Sequence, residues 1–140
     1  MNMWRALAAN VALALVLALT TSANADEKAS RTVVQELRTE AIAEYPGHEL
    51  NMITVEYPPG GGSKPHRHNA YVLVYVLEGT LEMKVRGTPV VTVHAGESFV
   101  ERPDDIHEIS RNASQTEKAK FLAVALKTTG QPLSTTAASR

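Results

Sequence analysis

The chain has 140 residues, 44% hydrophobic, 21% charged and 5% aromatic, a composition that fits one ordinary globular domain and excludes two packed ones. Fourteen Lys plus Arg against fifteen Asp plus Glu leave a formal charge of -1, so no electrostatic footprint for nucleic acid or an anionic membrane is present. Cysteine is absent, which removes disulfides, thiolate nucleophiles, lipidated cysteine and cysteine-held zinc or iron–sulfur sites. Any metal must be held by histidine and carboxylate.

Residues 1–25 carry one positive charge, Arg5, then a fourteen-residue apolar run over 6–19, then small and polar residues ending Ala23, Asn24, Ala25. This is the order of a secretory signal with an A-x-A cleavage site. The run is shorter than the about 20 apolar residues of a membrane span, and Asn10 interrupts it. Arg5 is followed by Ala6 rather than a second Arg, so the twin-arginine signal is missing and the chain is expected to cross unfolded, acquiring any cofactor outside. The expectation is cleavage after Ala25, no stable membrane anchor afterwards, and a periplasmic or secreted product.

Residues 26–48 form an N-terminal segment. Val33, Val34, Leu37, Ala41 and Ile42 recur there at helical spacing and Pro46-Gly47 stops the pattern, which argues for a short helix, with an edge strand as the alternative. From 49 onward the signal changes to short runs rich in Val, Ile, Thr and Tyr, punctuated by Gly and Pro about every ten residues. Strands are predicted over 50–57, 71–77, 80–86, 90–94, 98–102, 107–110 and 120–127. Seven short strands in a domain of residues 49–127 must close into a sandwich or barrel, because an open sheet leaves one face uncovered. The tail, 128–140, is mostly Thr, Ser, Ala, Gly and Pro and reads as disordered.

Alternation shows which side chains look inward. Leu81, Met83 and Val85 are apolar between Glu82, Lys84 and Arg86, the pattern of a half-buried strand. Residues 71–77 are apolar on both faces. One face fills the barrel and the other needs a cover, for which a homodimer burying Leu73 and Tyr75 is the expectation.

His66 and His68 are separated by one residue at a strand start, so period-two geometry puts both imidazoles on one face with Arg67 pointing away. Such a pair can chelate one cation, and it reads equally as two solvated strand histidines. His48 and His94 read as surface residues beside turns. Glu101 and Arg102 lie on the strand leading to His107 and read by default as a solvated ion pair. Glu101 shares odd parity with Phe99 and His107, which makes it the better candidate for a general base or a carboxylate orienting a ligand. No serine-nucleophile elbow, phosphate loop or dinucleotide fingerprint occurs.

Gly60, five residues, His66-Arg67-His68, then Tyr75-Val76-Leu77-Glu78-Gly79 resembles the first conserved motif of the cupin superfamily. Gly96 with Pro103, His107 and Asn112 resembles the second. The resemblance covers roughly 50–127 and implies an all-β, antiparallel jelly-roll barrel of six to eight strands whose interior holds one divalent metal. By that resemblance His66, His68 and His107 are the metal ligands. Two departures stand out. The family usually has Glu or Gln four residues after the second histidine, where this chain has Val72, and the Pro-x-Gly turn reads Pro103-Asp104-Asp105, with proline one position late.

Without that carboxylate, three imidazoles could bind one divalent transition metal (Fe, Cu, Ni, Zn or Mn), leaving positions open for dioxygen or a bidentate substrate. Alternatively the site has decayed and binds an organic ligand alone. The sequence therefore favours a dioxygenase-like metalloenzyme acting on a small oxygenated molecule, with a non-catalytic periplasmic binding module as the other class. Fold does not choose the reaction. A third class, a cupin joined to a DNA-binding module, is disfavoured because the expected signal segment occupies the N-terminus and no second domain fits.

Overall fold

Strands send alternate side chains to opposite faces, and the ten strands of the computed structural model, which describes residues 31–137, enclose one apolar core in that way. They are β1 (Val33–Ala41), β2 (His48–Tyr57), β3 (His66–His68), β4 (Ala70–Glu78), β5 (Thr80–Val85), β6 (Val91–His94), β7 (Ser98–Glu101), β8 (His107–Asn112), β9 (Ala119–Thr128) and β10 (Ser134–Thr136). Two five-stranded antiparallel sheets face each other, ordered β1-β2-β9-β4-β7 and β10-β3-β8-β5-β6. This is the expected all-β jelly-roll barrel, with no helix among the described residues. The expected signal segment and its cleavage site lie outside the described residues.

Each of the seven predicted runs is a strand. β4 buries Ala70, Val72, Val74 and Val76, while Tyr71, Leu73, Tyr75 and Leu77 face outward, 44% to 55% exposed. From the other strands Ile53, Val55, Tyr57, Leu81, Met83, Val93, Phe121, Ala123 and Ala125 complete the layer between the sheets, and Phe99 and Leu133 pack against it.

Two expectations are corrected. The helical reading of 26–48 gives way to β1, an edge strand paired with β2 from Val33↔Glu56 to Ala41↔Glu49, with a register shift between Glu36 and Arg38. Without β1, the outer edge of β2 would present unpaired N–H and C=O groups, and pairing there satisfies the backbone of both segments. A helix would have had only a thin stripe to bury; in the strand Val34 and Leu37 stay exposed. The buried Asn51 ties the two strands, its Nδ2 donating to Thr39 Oγ1 at 2.8 Å and Glu36 Oε2 at 3.2 Å.

The tail is also ordered over its described part. After a turn in which Gly130 takes a φ of 76°, Leu133 packs against the core and β10 pairs with β3, Ser134↔His68 and Thr136↔His66. Lys127 Nζ, bonded to Glu49, also donates to Gln131 O at 2.8 Å, and Ala137 N donates to Pro65 O at 3.0 Å. A polar composition concealed one apolar anchor and a free strand edge to pair with.

Leu81 is fully buried between the sheets. Leu81→Ala is expected to cost about 2–5 kcal/mol, read as a lowered urea midpoint at unchanged m-value. A loss below about 1 kcal/mol would mean that the layer closes over the cavity.

Candidate metal centre

Two strand registers assemble the site. His66 on β3 lies directly opposite His107 on β8, and Val72 on β4 lies directly opposite Glu101 on β7. The first pair belongs to one sheet and the second to the other, so the inward side chains meet between the sheets. The imidazole centroids form a near-equilateral triangle: His66 to His68 4.9 Å, His66 to His107 5.3 Å and His68 to His107 5.5 Å. The fourth group is Glu101, 3% exposed, with Oε2 at 2.9 Å from His68 Nε2 and Oε1 at 3.5 Å from His107 Nδ1. It is no solvated ion pair, and its neighbour Arg102 is exposed.

Donor atoms of His68, Glu101 and His107 all lie within 4.8 Å of one another. His66 stands outside that trio, half-buried, although its ring stacks on His107 at 27° between planes. Backbone carbonyls fix two of the rings. Lys64 O lies 2.8 Å from His66 Nδ1, and Leu133 O lies 2.9 Å from His68 Nδ1. A carbonyl can only accept, so both Nδ1 atoms carry hydrogen and each neutral ring presents Nε2 as a lone pair, the arrangement that orients metal-ligating histidines. His107 is 1% exposed, and neither of its ring nitrogens has a hydrogen-bond partner. Such a buried group costs about 1–3 kcal/mol unless something else engages it. Imidazole nitrogens with one carboxylate suit Fe, Mn, Ni, Cu or Zn, so these residues fit a divalent ion.

Local chain geometry sets these positions. In the turn before His107, Asp104 has a φ of 70° and Asp105 Oδ2 accepts from Arg102 N at 3.1 Å. Aspartate tolerates the left-handed region better than most residues, so the turn is made without the glycine of the usual motif. His48 starts β2 stacked on Tyr45 at 3.9 Å, and His94 is exposed beside Thr80. Neither enters the site.

Sequence reasoning missed the surroundings. A cavity of about 530 Å³ opens from His66, His68 and Glu101, with Ile53, Val55, Val74 and Phe121 among its apolar walls. Its polar side includes Tyr57, whose hydroxyl lies 2.6 Å from Ser63 Oγ and 3.0 Å from Ser110 Oγ. The inward parity of Tyr57 with Ile53 and Val55 was the available signal. Leu133 also lines the cavity, and its being the one large apolar residue of the tail was the available signal.

Burial holds the His66 and His107 pKa values below that of an ordinary imidazole. Burial pulls His68 the same way, but the hydrogen bond and charge of Glu101 outweigh it and the pKa lies above the ordinary value. Burial alone would raise Glu101; the His68 hydrogen bond and the charges of His68, His107 and His66 keep it below the ordinary carboxylate range.

A two-sheet antiparallel barrel with inward histidines on facing strands defines the class as a double-stranded β-helix protein. The sequence of residues 53–125 matches the Cupin_2 family, described as the cupin domain, and the chain belongs to that family. No curated protein matches it in sequence. Among solved structures, a cupin-like protein from Thermotoga maritima aligns at TM-score 0.61 and 17% identity, covering 77% of each chain. Oxalate oxidase in complex with the substrate analogue glycolate aligns at TM-score 0.56 and 27% identity, covering 76% of this chain and 55% of the oxidase. The DMSP lyase of Ruegeria pomeroyi aligns at TM-score 0.60 and 17% identity, covering 76% of this chain and 51% of the lyase. The chain thus spans about half the length of either enzyme.

The pKa directions fix the pH response of the metal-free chain. The raised His68 value adds stability that is full below the unfolded histidine pKa and is lost as pH rises through the folded one. The lowered Glu101 value adds stability present above the unfolded carboxylate pKa and lost as pH falls through the folded one. The lowered His66 and His107 values remove stability as pH falls below the unfolded histidine pKa. Histidine NMR titration of chelator-treated protein should show His68 keeping its proton to a higher pH than the other two. If His66 or His107 is instead the last to lose its proton, the Glu101 pairing is wrong.

Proposed function

We propose that this chain is a cupin metalloenzyme that holds one divalent transition-metal ion (Fe, Mn, Ni, Cu or Zn) through His66, His68 and His107 and acts on a small oxygenated molecule by oxygenase-like chemistry. The observation that carries this reading is the buried, unpartnered pair of ring nitrogens on His107, facing a cluster with His68 and Glu101. When bound, the ion would polarise a coordinated oxygen and, if redox-active, serve dioxygen chemistry.

The chain's own residues do the rest. Lys64 and Leu133 carbonyls hold the His66 and His68 rings through Nδ1, and His68 Nε2 faces Glu101. Ile53, Val55, Val74 and Phe121 exclude water from one side of the cavity, and the Tyr57, Ser63 and Ser110 hydroxyls offer hydrogen bonds on the other. A cavity of about 530 Å³ falls in the range of drug-sized ligand sites and far exceeds a two-carbon acid. The substrate that suits it has a chelating pair of oxygens at one end and an apolar body. The likeness to oxalate oxidase with glycolate supports the oxygen-rich end only.

Metal analysis and oxygen uptake test the reading together. The purified chain should take up about one ion, and His107→Ala should lower that content. Fe(II)- or Cu(II)-loaded protein should consume oxygen with at least one member of a panel of β-diketones, flavonols and catechols. Tight metal binding with a silent panel, and a bound small molecule recovered intact, would point to a non-catalytic binding module instead.

We also propose a homodimer through the outer face of β4. Tyr71, Leu73, Tyr75 and Leu77 are exposed there, and Leu50 of β2 and Val100 of β7 extend the same apolar patch. Patches of this kind mark association surfaces. Light scattering at tens of micromolar should give twice the chain mass, and Leu73→Glu should give the monomer. A wild-type monomer at that concentration would refute the pairing.

A further inference from the structure

Donor atoms of His68, Glu101 and His107 lie within 4.8 Å of one another, with the His66 ring stacked on His107 beside them, and of these four only the histidines stand where the family resemblance puts ligands. The fourth position of that pattern, residue 72, is a valine buried in the wall of the cavity. Its direct partner across the β4–β7 pair is Glu101. Side chains directly opposite on one face of an antiparallel pair have Cβ atoms about 4.5–5.5 Å apart. Both Val72 and Glu101 are inward-facing and buried, and the two methylenes of a glutamate are long enough to cross that gap. A carboxylate lost from β4 can therefore be supplied from β7 to the same place.

We propose that Glu101 is the fourth protein ligand of the metal, replacing across the strand pair the carboxylate that position 72 lacks; the assignment rests on the metal reading above. Three observations agree on it. Glu101 is 3% exposed, and burying a carboxylate demands a compensating cation. Both of its ion-pair contacts are to histidines, His68 Nε2 at 2.9 Å and His107 Nδ1 at 3.5 Å, so its charge is answered either by a proton on His68 or by a cation shared with the imidazoles. His68 Nδ1 already donates to Leu133 O, so in a neutral His68 the Nε2 facing Glu101 is a lone pair. A lone pair on Nε2 and a carboxylate directed at each other need a positive centre between or beside them, which is a proton on His68 in the metal-free chain. A divalent ion meets the same need for all the donors of the cluster at once, and the carboxylate reduces the buried charge of the ion from +2 to +1.

On this view Glu101 is a ligand rather than the general base that its place in the chain suggests. A purely structural ion pair with His68 is the competing account, and the two differ in what a substitution changes. The test uses Co(II) as the probe, its affinity read by calorimetry and its coordination by visible absorption, on four proteins: wild type, Glu101→Val, Glu101→Gln, and the exchange variant Val72→Glu with Glu101→Val. Changes outside the ligand set cost about 10–100-fold in metal affinity, so loss of a ligand in Glu101→Val and Glu101→Gln should weaken Co(II) binding by at least about 100-fold. Each should also alter the absorption of the bound ion. The exchange variant should recover most of the affinity and the wild-type spectrum. If it does not fold, the near-isosteric Glu101→Gln carries the test through its affinity and spectrum.

A wild-type chain that takes up no divalent ion overturns the metal reading and this assignment with it. A wild-type chain that binds Co(II), with Glu101→Gln binding it equally and with an unchanged spectrum, overturns this assignment alone. So does Glu101→Val that loses thermal stability without metal yet keeps wild-type affinity and spectrum, because that is the behaviour of a structural pair.

Discussion

A carboxylate buried between two β-sheets is the feature to which the rest of the centre is fitted. Glu101 is almost wholly removed from water, and a charge in that position persists only if positive partners and hydrogen bonds answer it. His68 is placed to do so, its Nε2 2.9 Å away, and the His66 and His107 rings stand beside it. Their placement is not a local property of any one strand. It follows from two registers, His66↔His107 in one sheet and Val72↔Glu101 in the other. A shift of either by one residue would turn the donor outward and a neighbour inward.

Those registers are held by the apolar layer. β4 and β9 pair from Ala70↔Lys127 to Glu78↔Lys120, and β2 and β9 from His48↔Thr128 to Tyr57↔Ala119. Both strands of each pair bury alternate residues, so slippage would expose Val72, Val74 and Val76 together with Phe121, Ala123 and Ala125. The hydrophobic penalty for that slip, at about 25 cal/mol per Å² of apolar surface, defends the position of Glu101 indirectly. On the second sheet β3 has only three residues, too few to fix its own register by burial. It is fixed instead by β8 on one side and β10 on the other.

What the sequence made legible divides along that line. The inward parity of Leu81 and Met83 could be read directly, because alternation is a local signal that survives into the barrel, whereas 71–77, apolar on both faces, showed only that both faces need cover. The shared face of His66 and His68, two residues apart on one strand, could also be read directly. Glu101 could be given a parity but not a neighbour: which residue of which strand it opposes is a long-range fact, decided by the β4–β7 pairing. The N-terminal segment misled for the opposite reason. Val33, Leu37 and Ala41 do have helical spacing, and the free edge of β2 overrides it with backbone hydrogen bonds that no local pattern records. The tail lacked any periodic signal, so only the structure could show Leu133 and β10 in place.

The tail also couples closing the barrel to shaping the site. By pairing with β3, β10 covers an edge that would otherwise offer its N–H and C=O groups to another chain. The residue just before it, Leu133, does two things at once: its side chain packs against the core and lines the cavity, and its carbonyl accepts from His68 Nδ1 at 2.9 Å. That hydrogen bond settles which nitrogen of His68 points inward. A histidine at the very end of a three-residue strand would otherwise be free to rotate, and its tautomer would be undetermined. The last ordered strand thus supplies an edge cap, a cavity wall and the orientation of one histidine through a single anchored leucine.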